Sequence, residues 1–241
     1  MLTLASSLLL SATALLAPAP QTSTPPATPP ARPAAPAATA PATPPASPQP
    51  TAPVPGERLT FDFKDPKGVN GFVFMLDSIL EPIVGSGTGL SGTVEFDPTN
   101  PLSATGMIKA EAKGLKTTNE RMASVLQGAD WLDVATYPSI DVKLVKIASA
   151  EAVAENTVQT QANVEVTIKG KTVPMIVPVK ATFLPGRLGD RVMGAKGDLL
   201  VLRSQFAVKR SVFGIKPDQG TDIVADDIQI MVAVVGVRKT G

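Results

Sequence analysis

The distribution of proline confines any folded core of this chain to its C-terminal part. Fifteen of the 24 prolines fall among the 40 residues 17–56, where nearly all other residues are Ala, Thr, Ser or Gln. Such a composition cannot bury enough apolar surface to offset the entropy of ordering the chain. We therefore expect residues 20–56 to form a disordered linker, partly in polyproline II conformation. Residues 57–241 are long enough to form one compact domain.

An uncharged apolar run precedes this linker. Residues 2–16 have the length of a signal-peptide apolar region, and the small residues of Ala17-Pro18-Ala19 follow. The run is shorter than the roughly 20 apolar residues of a bilayer-spanning helix. We predict that residues 1–19 are a signal peptide, with an uncleaved N-terminal anchor as the alternative. The protein is then periplasmic or secreted, with no integral membrane domain.

The composition excludes several functional classes. The chain has no Cys and no His, so thiolate nucleophiles, zinc knuckles and Ser-His-Asp triads are ruled out. A net charge of +1 and an aromatic content of 4% give no basis for nucleic-acid binding. No pair of carboxylates has a spacing that suggests general acid–base chemistry. We therefore expect no enzyme, no catalytic residue and no metal site.

The folded part is dominated by strand patterns. Apolar and polar residues alternate in several short runs, with apolar residues at 72, 74 and 76, at 94 and 96, at 140, 142 and 144, at 164, 166 and 168, and at 175, 177, 179, 181 and 183. Residues 199–206 and 228–235 are further strand candidates, and the second is apolar on both faces except at Gln229. Strands joined by connections of hairpin length predict an antiparallel barrel or sandwich.

One segment has helical periodicity instead. Thr117 and Glu120 fit a capping box, and Met122, Val125 and Leu126 then recur at helical spacing. We predict a short helix over residues 118–129 that packs on an opening or a side of the barrel.

Two charged groups are assigned no function. The aspartates at 218, 222, 226 and 227 lack the spacing of a calcium-binding loop. The basic pair Lys209-Arg210 is expected to be exposed in a turn.

Five sequence blocks resemble the YceI-like family of exported, lipocalin-like proteins. Residues 128–140, GADWLDVATYPSI, are similar to the family's S-x-D-F-F-D-V-x-x-Y-P-x-I stretch. The other blocks follow the family order: LSGTVEFD at 90–97, VEVTIKGKTVP at 164–174, LRSQF at 202–206 and VADDIQI at 224–230. The resemblance covers residues 59–237.

The resemblance implies an all-β fold, an eight-stranded antiparallel lipocalin-like barrel. It also implies an apolar lumen that holds an amphiphile or an isoprenoid lipid, such as a polyprenyl or quinone tail. No cofactor is then required beyond the bound lipid itself. A barrel of this size can enclose one small ligand, and an apolar chain gains about 25 cal/mol per Å² of surface removed from water.

The candidate ligand-binding residues follow from strand alternation and bulk. They are Phe72, Phe74, Phe96, Trp131, Phe183, Phe206 and Phe213, with Arg203 as a polar contact near a mouth. The helix lacks the family's R-D-x-H-L pattern, because Met122 to Leu126 stand there. Polar groups that could orient a headgroup are therefore fewer. Either the ligand is more uniformly apolar, or the fold is kept without the family ligand.

A second hypothesis treats the domain as a non-catalytic interaction module. In that case aromatic side chains fill the barrel, and the Pro-rich linker is a stalk. The two hypotheses differ in whether a continuous apolar cavity exists. Both hypotheses are compatible with a dimer.

Overall fold

The computed structural model describes residues 56–218 and 220–240. The predicted signal peptide and all of the predicted linker except Gly56 lie outside the described residues. The strands are β1 Leu59–Asp62, β2 Gly71–Ser78, β3 Ile83–Gly87, β4 Leu90–Phe96, β5 Thr105–Glu111, β6 Leu115–Thr117, β7 Ser139–Ala154, β8 Thr157–Ile168, β9 Lys171–Leu184, β10 Gly197–Lys209 and β11 Val224–Lys239. Two helices, α1 Glu120–Gln127 and α2 Leu188–Arg191, and two 3-10 turns, Pro101–Ser103 and Ala112–Gly114, complete the described elements.

These strands close into an antiparallel barrel of eight positions. Three positions are each filled by two successive strands: β1 with β2, β3 with β4, and β5 with β6. β1 pairs with β4 and β2 with β3, while β5 pairs with β4 and β6 with β3. The ring continues from β5 through β7, β8, β9 and β10 to β11, and β11 closes it by pairing with both β2 and β1. The prediction of an eight-stranded antiparallel barrel is confirmed.

The interruption between β1 and β2 is built around one buried asparagine. Asn70 is 2% exposed, and its side-chain nitrogen donates to the carbonyl oxygens of Phe63 and Val235. Its side-chain oxygen accepts the N–H of Val235 at 2.9 Å. The side chain thus takes the place of a peptide group beside β11, where the backbone of residues 64–70 leaves the sheet.

The helix is shorter than predicted and has a different cap. The side chain of Asn119 accepts the N–H of Met122 at 3.0 Å, so Asn119 is the N-cap. The capping box predicted at Thr117 is wrong, because Thr117 still pairs with Gly85 as the last residue of β6. The helix ends at Gln127, and turns follow where residues 128 and 129 were expected to continue it.

The two ends of the barrel have different closures. The helix end carries α1, the turn between β8 and β9, and the loop between β10 and β11. The opposite end carries the turn between β7 and β8, the loop between β9 and β10, and the start of β1. A buried cluster lies at each end, one around Phe74, Leu126 and Phe213 and the other around Phe61, Phe63 and Phe183.

Candidate functional site

An apolar cavity of about 220 Å³ lies inside the barrel between the two clusters. This volume is more than ten times the roughly 10–15 Å³ that one water molecule needs. The lining comes from the inward faces of the strands, where every second residue is aliphatic or aromatic. It includes Leu90 and Val94 of β4, Ile108 of β5, Ile140, Val142 and Leu144 of β7, Ala162, Val164 and Val166 of β8, Val177 and Val179 of β9, and Val232 and Val234 of β11.

The cavity is elongated along the strands. Alternate residues of β8 line it from Thr160 to Ile168, a distance of about 26 Å at ~3.3 Å per residue. With the strand tilt of about 40° that is typical of barrels, this corresponds to roughly 20 Å along the barrel axis. Such a space suits an extended chain better than a compact molecule.

The two hydroxyl side chains in the lining are already hydrogen-bonded to the protein. The hydroxyl of Thr160 donates to the carbonyl of Val179 at 2.9 Å, and that of Ser204 donates to the carbonyl of Pro178 at 2.6 Å. Arg203 is the single charged residue among those that line the cavity in the described part of the chain. The interior therefore offers apolar contact and very little hydrogen bonding to a ligand.

The structure distributes the residues predicted from the sequence over four locations. Phe72, Phe96 and Phe206 line the main cavity. Phe72 also lines a second, smaller cavity of about 60 Å³ near the helix end, together with Phe74 and Trp131. Phe183 and Phe213 are 3% and 1% exposed and line neither cavity, because they pack in the clusters at the two ends. Arg203 borders the main cavity and is solvent-exposed.

Most of the lining is missing from the predicted set, because that set was chosen by aromatic bulk. The inward residues of β8 were visible as an alternating run of Val164, Val166 and Ile168. All three line the main cavity. The alternation by itself identifies these residues, without any preference for aromatic side chains. A ring fills space, whereas a small aliphatic side chain leaves space beside it.

Cations that bind backbone carbonyls close the helix end. The ammonium of Lys169 donates to the carbonyls of Ala129, Asp130 and Gly214, with the shortest distance 2.8 Å. Arg210 is 1% exposed, so its expected exposure is wrong. Its guanidinium donates to the carbonyls of Val224 and Ala225 at 3.0 Å, and also to those of Ile215 and Lys216. These bonds hold the loop between β10 and β11 across the barrel.

The opposite end is filled by aromatic rings. Phe61 and Phe63 are fully buried, and the rings of Phe61 and Phe183 meet edge to face with centroids 6.1 Å apart. A Cβ at Gly236 would lie 2.6 Å from the ring of Phe63. A glycine at that inward position of β11 leaves the space that the ring occupies.

A partly buried ion pair holds the outer loops at this same end. Asp65 accepts the N–H groups of Lys67, Val69 and Asn70, and its carboxylate lies 3.1 Å from the guanidinium of Arg191 on α2. Burial by itself raises the pKa of Asp65, but the backbone donors and the charge of Arg191 together lower that pKa below its usual value.

The aspartates near residue 220 bind neighbouring side chains. Asp218 pairs with Lys216 at 2.9 Å, Asp227 pairs with Lys209 at 3.0 Å, and Asp226 accepts the hydroxyl of Ser211 at 2.8 Å. Within residues 56–218 and 220–240, no three acidic side chains are grouped as a metal site would require. No helix in the same ranges is long and apolar enough to cross a membrane.

Solved structures with the same fold come from several bacteria. BcnA of Burkholderia cenocepacia is 25% identical, with a TM-score of 0.54, and the match covers 69% of this chain and 95% of BcnA. The YCEI protein of Campylobacter jejuni is 18% identical, with a TM-score of 0.52, over 65% of this chain and 85% of that one. A polyisoprenoid binding domain from Saccharophagus degradans, implicated in plant cell wall breakdown, is 7% identical, with a TM-score of 0.51, over 75% of this chain and 99% of that domain.

The sequence itself matches one family over most of the barrel. No curated protein matches the chain. The family model of the YceI-like domain matches residues 69–236, from the end of the loop before β2 to the inward glycine of β11. The predicted family is thus confirmed, and the chain belongs to the YceI-like domain family.

Proposed function

We propose that this protein is an exported, non-catalytic carrier that holds the apolar chain of an isoprenoid lipid or a similar amphiphile in its barrel. The observation that carries the proposal is the elongated cavity of about 220 Å³ with its aliphatic lining. A polyprenyl or quinone tail is a flexible apolar chain, and its transfer from water into such a space gains about 25 cal/mol per Å². The related fold of the Saccharophagus degradans polyisoprenoid binding domain supports the same ligand class.

The lining also argues for binding rather than catalysis. Both hydroxyls on the cavity wall donate to backbone carbonyls, so neither is free to act on a ligand. Export is supported by the apolar run of residues 2–16. The chain has no Cys, so its folding does not depend on the redox state of the compartment and is compatible with export.

Extraction of the protein tests the proposal directly. The full chain is purified from the organism that makes it, denatured in organic solvent, and the extract is analysed by mass spectrometry. We expect about one polyprenyl or quinone molecule per protein. An extract without lipid, combined with no thermal shift when farnesol or a short-chain quinone is added to the emptied protein, would contradict the carrier and favour the interaction module. Fractionation of cells that express the full chain tests export separately.

A further inference from the structure

Strands β9 and β10 are paired over only part of their length. Their ladder runs from Leu199 opposite Leu184 to Ser204 opposite Val179. Beyond that point no pair joins residues 171–178 to residues 205–209, all of which the structure describes. We call this unpaired stretch the β9–β10 seam.

Two prolines explain why the ladder stops. The hydroxyl of Ser204 donates to the carbonyl of Pro178, so the backbone of Pro178 faces β10. Pro174 lies four residues earlier on the same strand and has the same orientation, because backbone groups alternate sides along a strand. Neither residue has an N–H to donate to β10. The pairing of β9 with β8 is unaffected and continues to Lys171.

The seam borders the main cavity. Val177 and Val179 on the β9 side and Phe206 on the β10 side all line the cavity. Arg203 also lines it and is exposed to solvent. Arg203 therefore belongs to the cavity wall while its side chain is in solvent, next to the point where the ladder ends.

A cation pair lies beside the seam. Arg203 is directly opposite Lys180, and both side chains are exposed. Like charges directly opposite each other destabilise a sheet. Neither cation has an acidic partner within the described part of the chain. Their neighbours across the strands are Gln159 opposite Lys180 and Ala233 opposite Arg203, both uncharged.

Three outward cations, on β5, β7 and β10, are each matched with an acid. Lys109 is opposite Asp141, Lys143 is opposite Glu165, and Lys209 is opposite Asp227, with charged atoms 3.5, 3.3 and 3.0 Å apart. The Arg203–Lys180 pair differs from these three, because each of its cations lies opposite another cation. It leaves two positive charges unneutralised next to an apolar cavity.

We propose that Arg203 and Lys180 bind the anionic headgroup, a phosphate or a carboxylate, of an amphiphile whose apolar chain reaches the cavity through the β9–β10 seam. This inference rests on the proposed carrier function and adds the chemical class of the headgroup. The cavity accommodates the chain but offers the headgroup no free hydrogen-bond donor. A charged headgroup would lose its hydration in the lumen, whereas at the seam it stays solvated and meets two cations. A guanidinium donates two parallel N–H bonds to a phosphate or carboxylate, and the ammonium adds a point charge.

Three ligands with the same chain separate the headgroup from the tail. Farnesyl phosphate, farnesoic acid and farnesol are titrated into the emptied full-length protein, with the fluorescence of Trp131, the single tryptophan, as the readout. We expect both anionic ligands to bind on the order of tenfold more tightly than farnesol. This ratio corresponds to about 1.4 kcal/mol, which two solvent-exposed charge contacts can contribute together. This preference should decrease as salt is raised, since salt screens exposed charges.

The double variant Arg203→Gln, Lys180→Gln tests the residues. It should bind all three ligands with the affinity that the wild type has for farnesol. The matched control, Lys64→Gln with Lys116→Gln, removes two exposed cations elsewhere on the domain and should keep the wild-type preference. Equal binding of anionic and neutral ligands by the wild type, or a preference that persists in the double variant, would overturn the headgroup site while farnesol binding still supports the carrier. Failure of all three ligands to bind would contradict the carrier function itself, and the headgroup site with it.

Discussion

The side-chain amide of Asn70 bonds both backbone groups of Val235, 165 residues away in sequence. It accepts the N–H at 2.9 Å and donates to the carbonyl at 2.9 Å. These two bonds reproduce those of an antiparallel residue pair at a place where the backbone before β2 has left the sheet. The barrel is therefore continuous in hydrogen bonding between the last pair of β1, Asp62 with Val237, and the first pair of β2.

Asn70→Ala should destabilise the domain by about 2–3 kcal/mol, because it leaves the partly buried N–H and carbonyl of Val235 without the partners that the Asn70 side chain provides. The free energy of unfolding is measured by urea titration. Asn100 is exposed and its side chain caps nothing, so Asn100→Ala is the control and should stay within about 0.5 kcal/mol of the wild type. If the two substitutions have equal effects, Asn70 does not contribute to barrel closure in this way.

Arg210→Met should loosen the loop between β10 and β11. The substitution keeps the length of the buried side chain but removes the donors that bind the carbonyls of Val224, Ala225 and Lys216. We expect the free energy of unfolding to fall by at least about 2 kcal/mol. Hydrogen exchange in residues 211–218 and 220–224 should increase over the wild-type rate more than it does in β8. Lys209→Met removes the neighbouring, exposed cation and is the control. Unchanged exchange in the loop of Arg210→Met would show that the guanidinium does not hold it.

The sequence predicted those parts of the barrel that depend on local patterns. The alternation of Val164, Val166 and Ile168 identified β8. In the turn after it, Lys169 and Gly170 have the positive φ angles, 50° and 71°, of a two-residue hairpin turn. Pairing between distant strands, such as β1 with both β4 and β11, depends on contacts that no local pattern encodes.

The roles of single polar residues were harder to predict. Arg210 looked like a surface residue, because arginine is seldom buried unless it is paired. Its burial depends on four carbonyls that only the folded loop brings together. In the same way, aromatic bulk did not distinguish Phe206, which lines the cavity, from Phe183, which fills an end. The difference lies in position along the barrel axis rather than in residue type or in the face of the strand.

Asp65→Asn should make the free energy of unfolding vary less with pH in the acidic range. The folded protein lowers the pKa of Asp65 below the usual value of 3.8. The resulting stabilisation is therefore fully present above about pH 4 and is lost as pH falls through the folded-state pKa. Urea unfolding between pH 6 and pH 2.5 should show the variant less stable than the wild type at pH 6, with a gap that narrows at low pH. A gap of constant size would mean that ionisation of Asp65 does not contribute. Asp77→Asn, on an exposed residue of β2, is the control.

Ala162→Phe should abolish lipid binding while leaving the fold intact. Ala162 is 2% exposed on the inward face of β8 and lines the main cavity, so a ring at this position projects into space that the ligand needs. The cavity provides space for the ring, so the loss in free energy of unfolding from overpacking should stay within about 1–3 kcal/mol. Ala152→Phe introduces the same ring at an exposed position of β7 and is the matched control. Both variants are extracted as described for the wild type, and cooperative thermal unfolding confirms that each is folded. Ala152→Phe should retain about one lipid per protein and Ala162→Phe should retain none. A folded Ala162→Phe protein that still carries a full complement of lipid would place the ligand outside the barrel.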